Sequence, residues 1–409
     1  MRTTCLIAGG GPAGVMLALL LARAGIDVTL LEKHADFLRD FRGDTIHPST
    51  LQILDELGLI EEFDKLPHQK VTALSVFDGR SFAKVTGLEH LPTPFPYIAF
   101  VPQWDFLDML VRQARRLPNF RLLMEAEAIG VIREGGAVRG VRYRDARGEH
   151  EIRAALTVGA DGRRSDIRRS AGLPVKDLGA PIDVVWFRLS RDPGDPADPF
   201  LRPGTGDALV SINRGAYWQI AYLIPKDGFA ALRAGGIERF RERVGALVPF
   251  FAARTERLRS FDDTSVLSVA VNRLTRWHLP GLLCIGDAAH AMSPVGGVGI
   301  NLAIQDAVAT ANLIAEPMAR AQRNRRPVLD PVPASLLARV RRRRLPPTVL
   351  TQFVQVQVQN QIMKRVLAGD VDAAAVSAAV DRMPLLIRRL FARAVGFGPL
   401  PEHVSPALR

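Results

Sequence analysis

Two glycine clusters, far apart in the chain, are built to hold a phosphorylated cofactor. Near the start stands Gly9-Gly10-Gly11-Pro12-Ala13-Gly14, behind the apolar run Cys5-Leu6-Ile7-Ala8. Gly9 permits a tight turn, Gly11 lets the backbone approach a pyrophosphate, and Gly14 lets a helix pack closely on its strand. Pro12 suits a first helical position, where its missing N–H would be unpaired anyway, and Ala13 follows it. The helix start offers free N–H groups and a positive dipole to phosphates. Glu32 follows Gly9 by 23 residues, near the spacing of an acid that binds ribose hydroxyls. Downstream, Gly286-Asp287-Ala288-Ala289-His290 precedes Pro294, Gly297, Gly299, Ile300 and Asn301. A carboxylate at Asp287 can accept hydrogen bonds from ribityl hydroxyls. Backbone donors along Gly296-Gly297-Val298-Gly299 can stabilise negative charge on a flat polar ring. This second cluster favours FAD over NAD. Pro294 and Gly297 form the expected flavin environment for catalysis, with no side-chain acid or base assigned. His290 reads as a packed structural histidine rather than a base.

These residues need elements to position them. Residues 3–8 read as a buried strand, Pro12 to about Gly25 as a helix, and Val28-Thr29-Leu30-Leu31 as a second strand. That βαβ beginning implies a parallel sheet. Helices are expected from Pro48 to Leu57 and from Gln103 to Arg116, and a strand meander over 121–158. Aromatic strands over 183–189, 207–213 and 216–224 suggest a separate sheet, with Asn213-Arg214-Gly215 as a hairpin turn. Leu282-Leu283-Cys284-Ile285 returns to the buried-strand style, and the chain beyond about 300 reads as mostly helical. Val354, Val358, Ile362 and Val366 recur every four residues, which predicts a helix. The run Arg339, Arg341, Arg342, Arg343 and Arg344 ends at Leu345-Pro346-Pro347 and reads as the solvated end of a helix.

Composition bounds the function. The chain's 409 residues exceed one simple core. No stretch approaches the roughly 20 uninterrupted apolar residues of an integral membrane segment. The glycine cluster interrupts what might otherwise pass for a signal peptide. Two cysteines, Cys5 and Cys284, give no disulfide framework, and a cytoplasmic location is expected. The formal charge of +12 comes without an aromatic platform or DNA-binding motif, so nucleic acid is not an expected partner. Arginine-rich character could still attract NADPH, an anionic substrate or an acidic membrane surface.

The pattern resembles the class A flavoprotein monooxygenases, the family of para-hydroxybenzoate hydroxylase and the ubiquinone-pathway hydroxylases. Resemblance covers roughly residues 3–345. It rests on the first glycine cluster with Glu32; on Arg42 with His47-Pro48-Ser49-Thr50-Leu51 and Leu57-Gly58-Leu59; on Gly159-Ala160-Asp161-Gly162-Arg163-Arg164-Ser165 with Arg168; and on Gly286 through Asn301 with Asp306-Ala307. The resemblance implies that Arg42 and Gln103 lie by FAD, and that the motif of Asp161 serves both FAD and the pyridine nucleotide. It places Lys33 and Arg39 near basic residues that select the nucleotide, though both also read as solvated charges. A thioredoxin-like tail, as in larger members, is not expected, and the Trp-x-Trp-x-Ile-Pro motif of flavin halogenases is reduced to Ile224-Pro225.

The implied fold is mixed α/β (α+β). A Rossmann-like FAD-binding domain of the para-hydroxybenzoate hydroxylase type would take 1–75, 98–178 and 268–330. An inserted antiparallel-sheet substrate domain would take 76–97 and 179–267, and a C-terminal helical region 331–409. The implied activity is oxygen transfer from O2, with NADPH or NADH as co-substrate, to a phenol or other activated aromatic through a C4a-hydroperoxyflavin. An epoxidase or a flavin reductase of the geranylgeranyl-reductase type is the alternative, and a non-catalytic binding protein like the GDP-dissociation inhibitors is a further one. The protein would act as a monomer or homodimer. Strand alternation puts Tyr217 and Gln219 on one face and Trp218 and Tyr222 on the other. One face is expected to line the substrate pocket. Arg188 either pairs with a substrate carboxylate or lies at the surface.

Overall fold

The computed structural model describes residues 1–38, 45–324, 330–368, 378, 382 and 384–409. Its centre is a sheet whose strand order is His278–Leu279, Leu282–Cys284, Gly148–Gly159, Arg2–Ala8, Val28–Leu31 and Phe120–Leu123. The last five of these strands run parallel, with Cys5 opposite both Val28 and Leu156, and Leu30 opposite Leu122. A parallel sheet is covered on both faces, so its strands read as unbroken apolar runs. An antiparallel arm, Glu127–Glu134 and Ala137–Asp145, extends from Gly148–Gly159.

The helix Pro12–Arg23 is buried from Ala13 through Ala22 and packs beside the helix Gly299–Arg323. The latter is long and apolar enough to cross a membrane by length and composition, yet 78% of its apolar window lies buried inside the protein. It is a core helix.

A second sheet has seven strands, ordered Ser265–Leu267, Ile182–Ser190, Tyr217–Pro225, Ala208–Asn213, Phe200–Pro203, Ala73–Phe77 and Phe82–Gly87. Its outer face carries Phe187, Phe200, Trp218, Ile220 and Tyr222, packed under the helix Ile237–Leu247 and the 3-10 segment Pro249–Arg257. Its inner face carries Val184, Ala221, Trp186 and Leu223 and meets Val356.

Val356 belongs to a helix, Ala334–Ala368, that corrects one expectation. The arginine run is not the end of a helix. The helix continues through Pro346 and Pro347 despite the two backbone N–H groups they remove. Nor is the run wholly solvated, since Arg344 is buried at 1% exposure. The helix predicted from Val354 and Val358 is present, but its apolar stripe faces outward. Both valines are exposed, while Gln352, Gln355 and Gln359 face the protein. The side chains of Ile362 and Val366 lie outside the described residues.

Candidate active site

The first glycine cluster has the geometry its sequence demands. Gly9 sits at φ 107°, and a Cβ there would lie 2.4 Å from the Ala160 carbonyl oxygen. A Cβ on Gly14 would lie 2.0 Å from the Gly9 oxygen, so helix and turn touch. Gly11 differs: a Cβ on it would meet nothing within 4 Å. It faces open space at the N-terminus of Pro12–Arg23, whose first N–H groups lack intrahelical partners. The buried Glu32 carboxylate accepts the Gly10 and His34 N–H groups, each at 3.0 Å. It thereby ties the end of the second strand to the glycine turn.

Two distant segments close on this turn. The Asp161 carboxylate accepts from Ser165 Oγ and from the Ile167 N–H at 3.1 Å. Burial raises this carboxyl above its ordinary range against the pull of those hydrogen bonds. Its partners show it shaping the loop. Arg163 reaches Asp287 at 3.8 Å, and Arg168 donates to the Ala288 carbonyl at 3.3 Å. A Cβ on Gly286 would lie 3.0 Å from the Ala13 Cβ and 3.4 Å from that of Ala303. Only glycine lets the two core helices meet there. Residues 9–14, 160–168, 286–288 and 299–303 thus share one locus.

The loop Pro294–Gly297 is locked from the side of Thr45. Gly297 has φ 63°, and a Cβ there would sit 2.4 Å from Thr45 Oγ1. Thr45 Oγ1 donates to the Gly297 carbonyl at 2.7 Å. Asn301 Oδ1 accepts the His47 N–H at 3.0 Å and Thr50 Oγ1 at 2.7 Å. Ile300 is buried beside it, while Gly299 has open space where a Cβ would go. Burial pulls the His47 imidazole down to about 4. The unfolded histidine titrates near 6.5, so the unfolded chain binds the extra proton first. Stability is therefore full above 6.5 and declines as pH falls toward 4, by up to ~3 kcal/mol from this group. Thermal unfolding of wild type and His47→Gln across that window tests this. The slope with pH should flatten in the variant.

Sequence reasoning missed what stands behind the second cluster. Asp306 is fully buried and accepts Gly286 N–H at 3.0 Å, His290 Nε2 at 2.6 Å and Arg344 Nε at 3.0 Å. Burial alone would raise its carboxyl, but His290 and Arg344 hold it below the ordinary value. Arg344 also reaches Glu402 at 3.4 Å. The His290 ring lies tilted against Trp277, with centroids 5.1 Å apart, and is a packed residue of this network. Gln355 donates to the carbonyls of Ser293 and Val295 at 3.0 and 2.7 Å. Ser293 donates to Gln359 at 2.8 Å, and Gln352 donates to the Ala291 carbonyl at 3.0 Å. A glutamine face of one helix thus grips the loop that carries Pro294 and Gly297. The i, i+3, i+7 spacing of the three glutamines was the available signal.

The candidate substrate residues separate. Trp218 and Tyr222 are corrected: both are sealed in the outer-face core at 0% and 2% exposure. Trp218 Nε1 donates to Asp195 at 2.8 Å, and the Tyr222 hydroxyl donates to Asp207. Neither has a free polar group for a ligand. Tyr217, Gln219 and Arg188 lie on the inner face. Arg188 sits over the Tyr217 ring at 5.1 Å, and Gln219 accepts from Arg214 at 3.0 Å. Gln103 opens the helix Gln103–Ala114, and Lys33 is exposed. Arg39 and Arg42 lie outside the described residues.

The residues present fit FAD. An open face at Gly11 meets a helix N-terminus, Asp287 keeps a third of its side chain accessible, and Gly299 opens beside a rigid backbone loop. A family model described as FAD binding domain matches residues 2–326. The 6-methylpretetramide 4-monooxygenase of Streptomyces rimosus is 35% identical over 365 residues, 88% of this chain and 84% of that protein. The para-nitrophenol 4-monooxygenase of Pseudomonas sp. strain WBC-3 is 25% identical, covering 74% of this chain and 75% of its own length. Among solved structures, pqsL of Pseudomonas aeruginosa, a probable FAD-dependent monooxygenase, superposes with TM-score 0.73 at 21% identity. That match covers 94% of this chain and all of that one. With its glycine turns, Asp287 and backbone loop assembled at one locus, the chain belongs to the FAD-binding-domain family and is an FAD-dependent monooxygenase of the para-hydroxybenzoate hydroxylase-like class.

Proposed function

We propose that this monooxygenase takes electrons from NADPH or NADH and hydroxylates an extended aromatic substrate, a phenol or fused polycyclic phenol. The observation that carries the reading is the position of one helix turn. Gln355 holds the loop of Pro294–Gly297, and the next residue, Val356, packs on the inner face of the seven-stranded sheet. One helix therefore joins the loop to the sheet face. We assign the cofactor to 1–72, 98–178 and 268–330, and the substrate sheet to 73–97 and 179–267; the first boundary moves back from 75 because the strand Ala73–Phe77 pairs within the seven-stranded sheet. The name of the Streptomyces rimosus relative, a monooxygenase of 6-methylpretetramide, supports a polycyclic substrate.

Bound FAD would supply electron transfer and O2 activation, which no side chain can supply. The chain's own residues bind and orient. Gly11 with the helix start would receive the pyrophosphate, Glu32 the adenosine ribose and Asp287 the ribityl chain. Gly297 and its neighbours would offer backbone N–H donors to the ring edge. Trp186, Ala221 and Leu223 present an apolar surface that would exclude water, and Arg188 with Tyr217 would meet a substrate anion at its rim.

The test is a screen of phenolic and polycyclic aromatic compounds. Oxidation of NADPH and of NADH, O2 uptake, peroxide release and product mass are followed together. A true substrate should gain one oxygen and suppress peroxide. Compounds that only stimulate nucleotide oxidation should release peroxide instead. Nucleotide oxidation without any O2 uptake would move the protein to the flavin-reductase alternative.

A further inference from the structure

The helix Leu385–Phe397 turns its apolar side away from the protein, as the helix Ala334–Ala368 does at Val354 and Val358. In Leu385–Phe397, Ala392, Gly396 and Phe397 face inward, against Leu88, Leu91 and Pro48. At 3.6 residues per turn, Leu386, Leu390 and Ala394 fall in a line with Ile387 and Phe391 beside it. All five are exposed, and Leu386 and Leu390 reach 69% and 57%. Arg389 and Arg393 border this stripe on one edge and Arg388 on the other, all exposed. The sequence from Arg382 to Pro401 contains no acidic residue. Leu400, exposed at 64%, extends the apolar surface beyond the helix.

An ordinary surface helix buries its apolar stripe and shows its charges. This one does the reverse, so the stripe calls for a cover. A second copy of the chain in a two-fold contact would bring the two arginine borders together, and like charges oppose that pairing. An anionic bilayer surface satisfies both parts: the stripe enters the acyl boundary and the arginines meet the headgroups. We propose that Leu385–Phe397 is a docking helix for anionic lipid surfaces.

The docking helix is tied to the candidate active site. His47 Nδ1 lies 2.8 Å from the Val395 carbonyl, and Gln305 donates to the Phe397 carbonyl at 3.5 Å. Through His47 and Asn301 the same contacts reach the loop of Gly297. A docked enzyme would hold its site next to a phase in which apolar aromatic compounds concentrate.

The experiment is sedimentation of the FAD-loaded protein with phosphatidylcholine vesicles, with and without phosphatidylglycerol. Binding should require phosphatidylglycerol and fall steeply with added salt. Leu390→Glu with Phe391→Glu should abolish it, while flavin content and melting temperature stay at wild-type values. Arg388→Gln with Arg389→Gln, which leaves the apolar face intact, should weaken binding roughly thirtyfold. Equal binding to both vesicle types, no binding to either, or wild-type binding by the glutamate variant would each overturn the proposal. A dimer in gel filtration that the glutamate variant dissolves, without vesicle binding, would assign the face to a second copy and overturn it equally.

Discussion

Gly11→Val should purify folded and colourless. Gly11 has φ −78°, which any residue adopts, and open space where the new side chain would go. The apoprotein therefore has no reason to lose stability. The valine would fill the face at the helix N-terminus that the pyrophosphate needs. Losing two charge-assisted hydrogen bonds there costs ~3–6 kcal/mol, a weakening of FAD binding by roughly a hundred- to ten-thousandfold. Gly14→Ala is the contrasting case, because its Cβ would collide with the Gly9 oxygen at 2.0 Å. That variant should fail as a fold rather than as a binder. Flavin absorbance per polypeptide and the melting temperature of the apoprotein separate the two. Wild-type flavin occupancy in Gly11→Val would remove this turn from the cofactor site.

Arg344→Met should lower stability by ~3–5 kcal/mol, the usual cost of stripping one partner from a buried ion pair. Methionine replaces the aliphatic stem out to about the position of Nε, so the loss is of the guanidinium with its charge and hydrogen bonds. Asp306 would keep His290 and the Gly286 N–H but lose its guanidinium, and Glu402 would lose its buried partner. Arg344→Lys should rescue only in part, since a single ammonium cannot span both carboxylates. Urea unfolding of the three proteins reads the effect. A change under ~1 kcal/mol would mean that water or rearranged side chains already compensate the pair.

What could be read in the sequence followed from local rules. The first turn is legible because Gly9, Gly11 and Gly14 serve three different steric needs within one turn; in the fold Gly9 and Gly14 stand in close contact, while Gly11 faces open space. At the second cluster the sequence marks a turn after a buried strand, and the fold has one there, with Gly297 in the left-handed region. The seven-stranded sheet was legible from its period-two pattern, although the pattern does not say which face is inside. By sequence Trp218 and Tyr222 therefore stand level with Tyr217 and Gln219; the helix Ile237–Leu247, packed on their side, separates the two pairs. The arginine run misleads because proline is a helix-stopping signal, yet the helix continues through Pro346 and Pro347, anchored before them by Arg344 and after them by Gln352. Arg344 was illegible for a related reason. Nothing local distinguishes one arginine among five, and only long-range folding brings Asp306 and Glu402 to it. Likewise Val354 and Val358 mark a helix but not its inward side, which polar contacts of Gln352, Gln355 and Gln359 decide.

The reach of that network bears on synthesis. A nascent chain that has emerged as far as residue 326 holds every glycine turn, Glu32, Asp161 and Asp287. It does not yet hold Arg344, Gln355 or Glu402. Asp306 then has His290 and a backbone N–H but no guanidinium, and the loop of Gly297 has no glutamine grip. The glycine turns thus precede in the chain the residues that brace them, and the brace on Asp306 and on the loop of Gly297 forms only once the helix Ala334–Ala368 is in place.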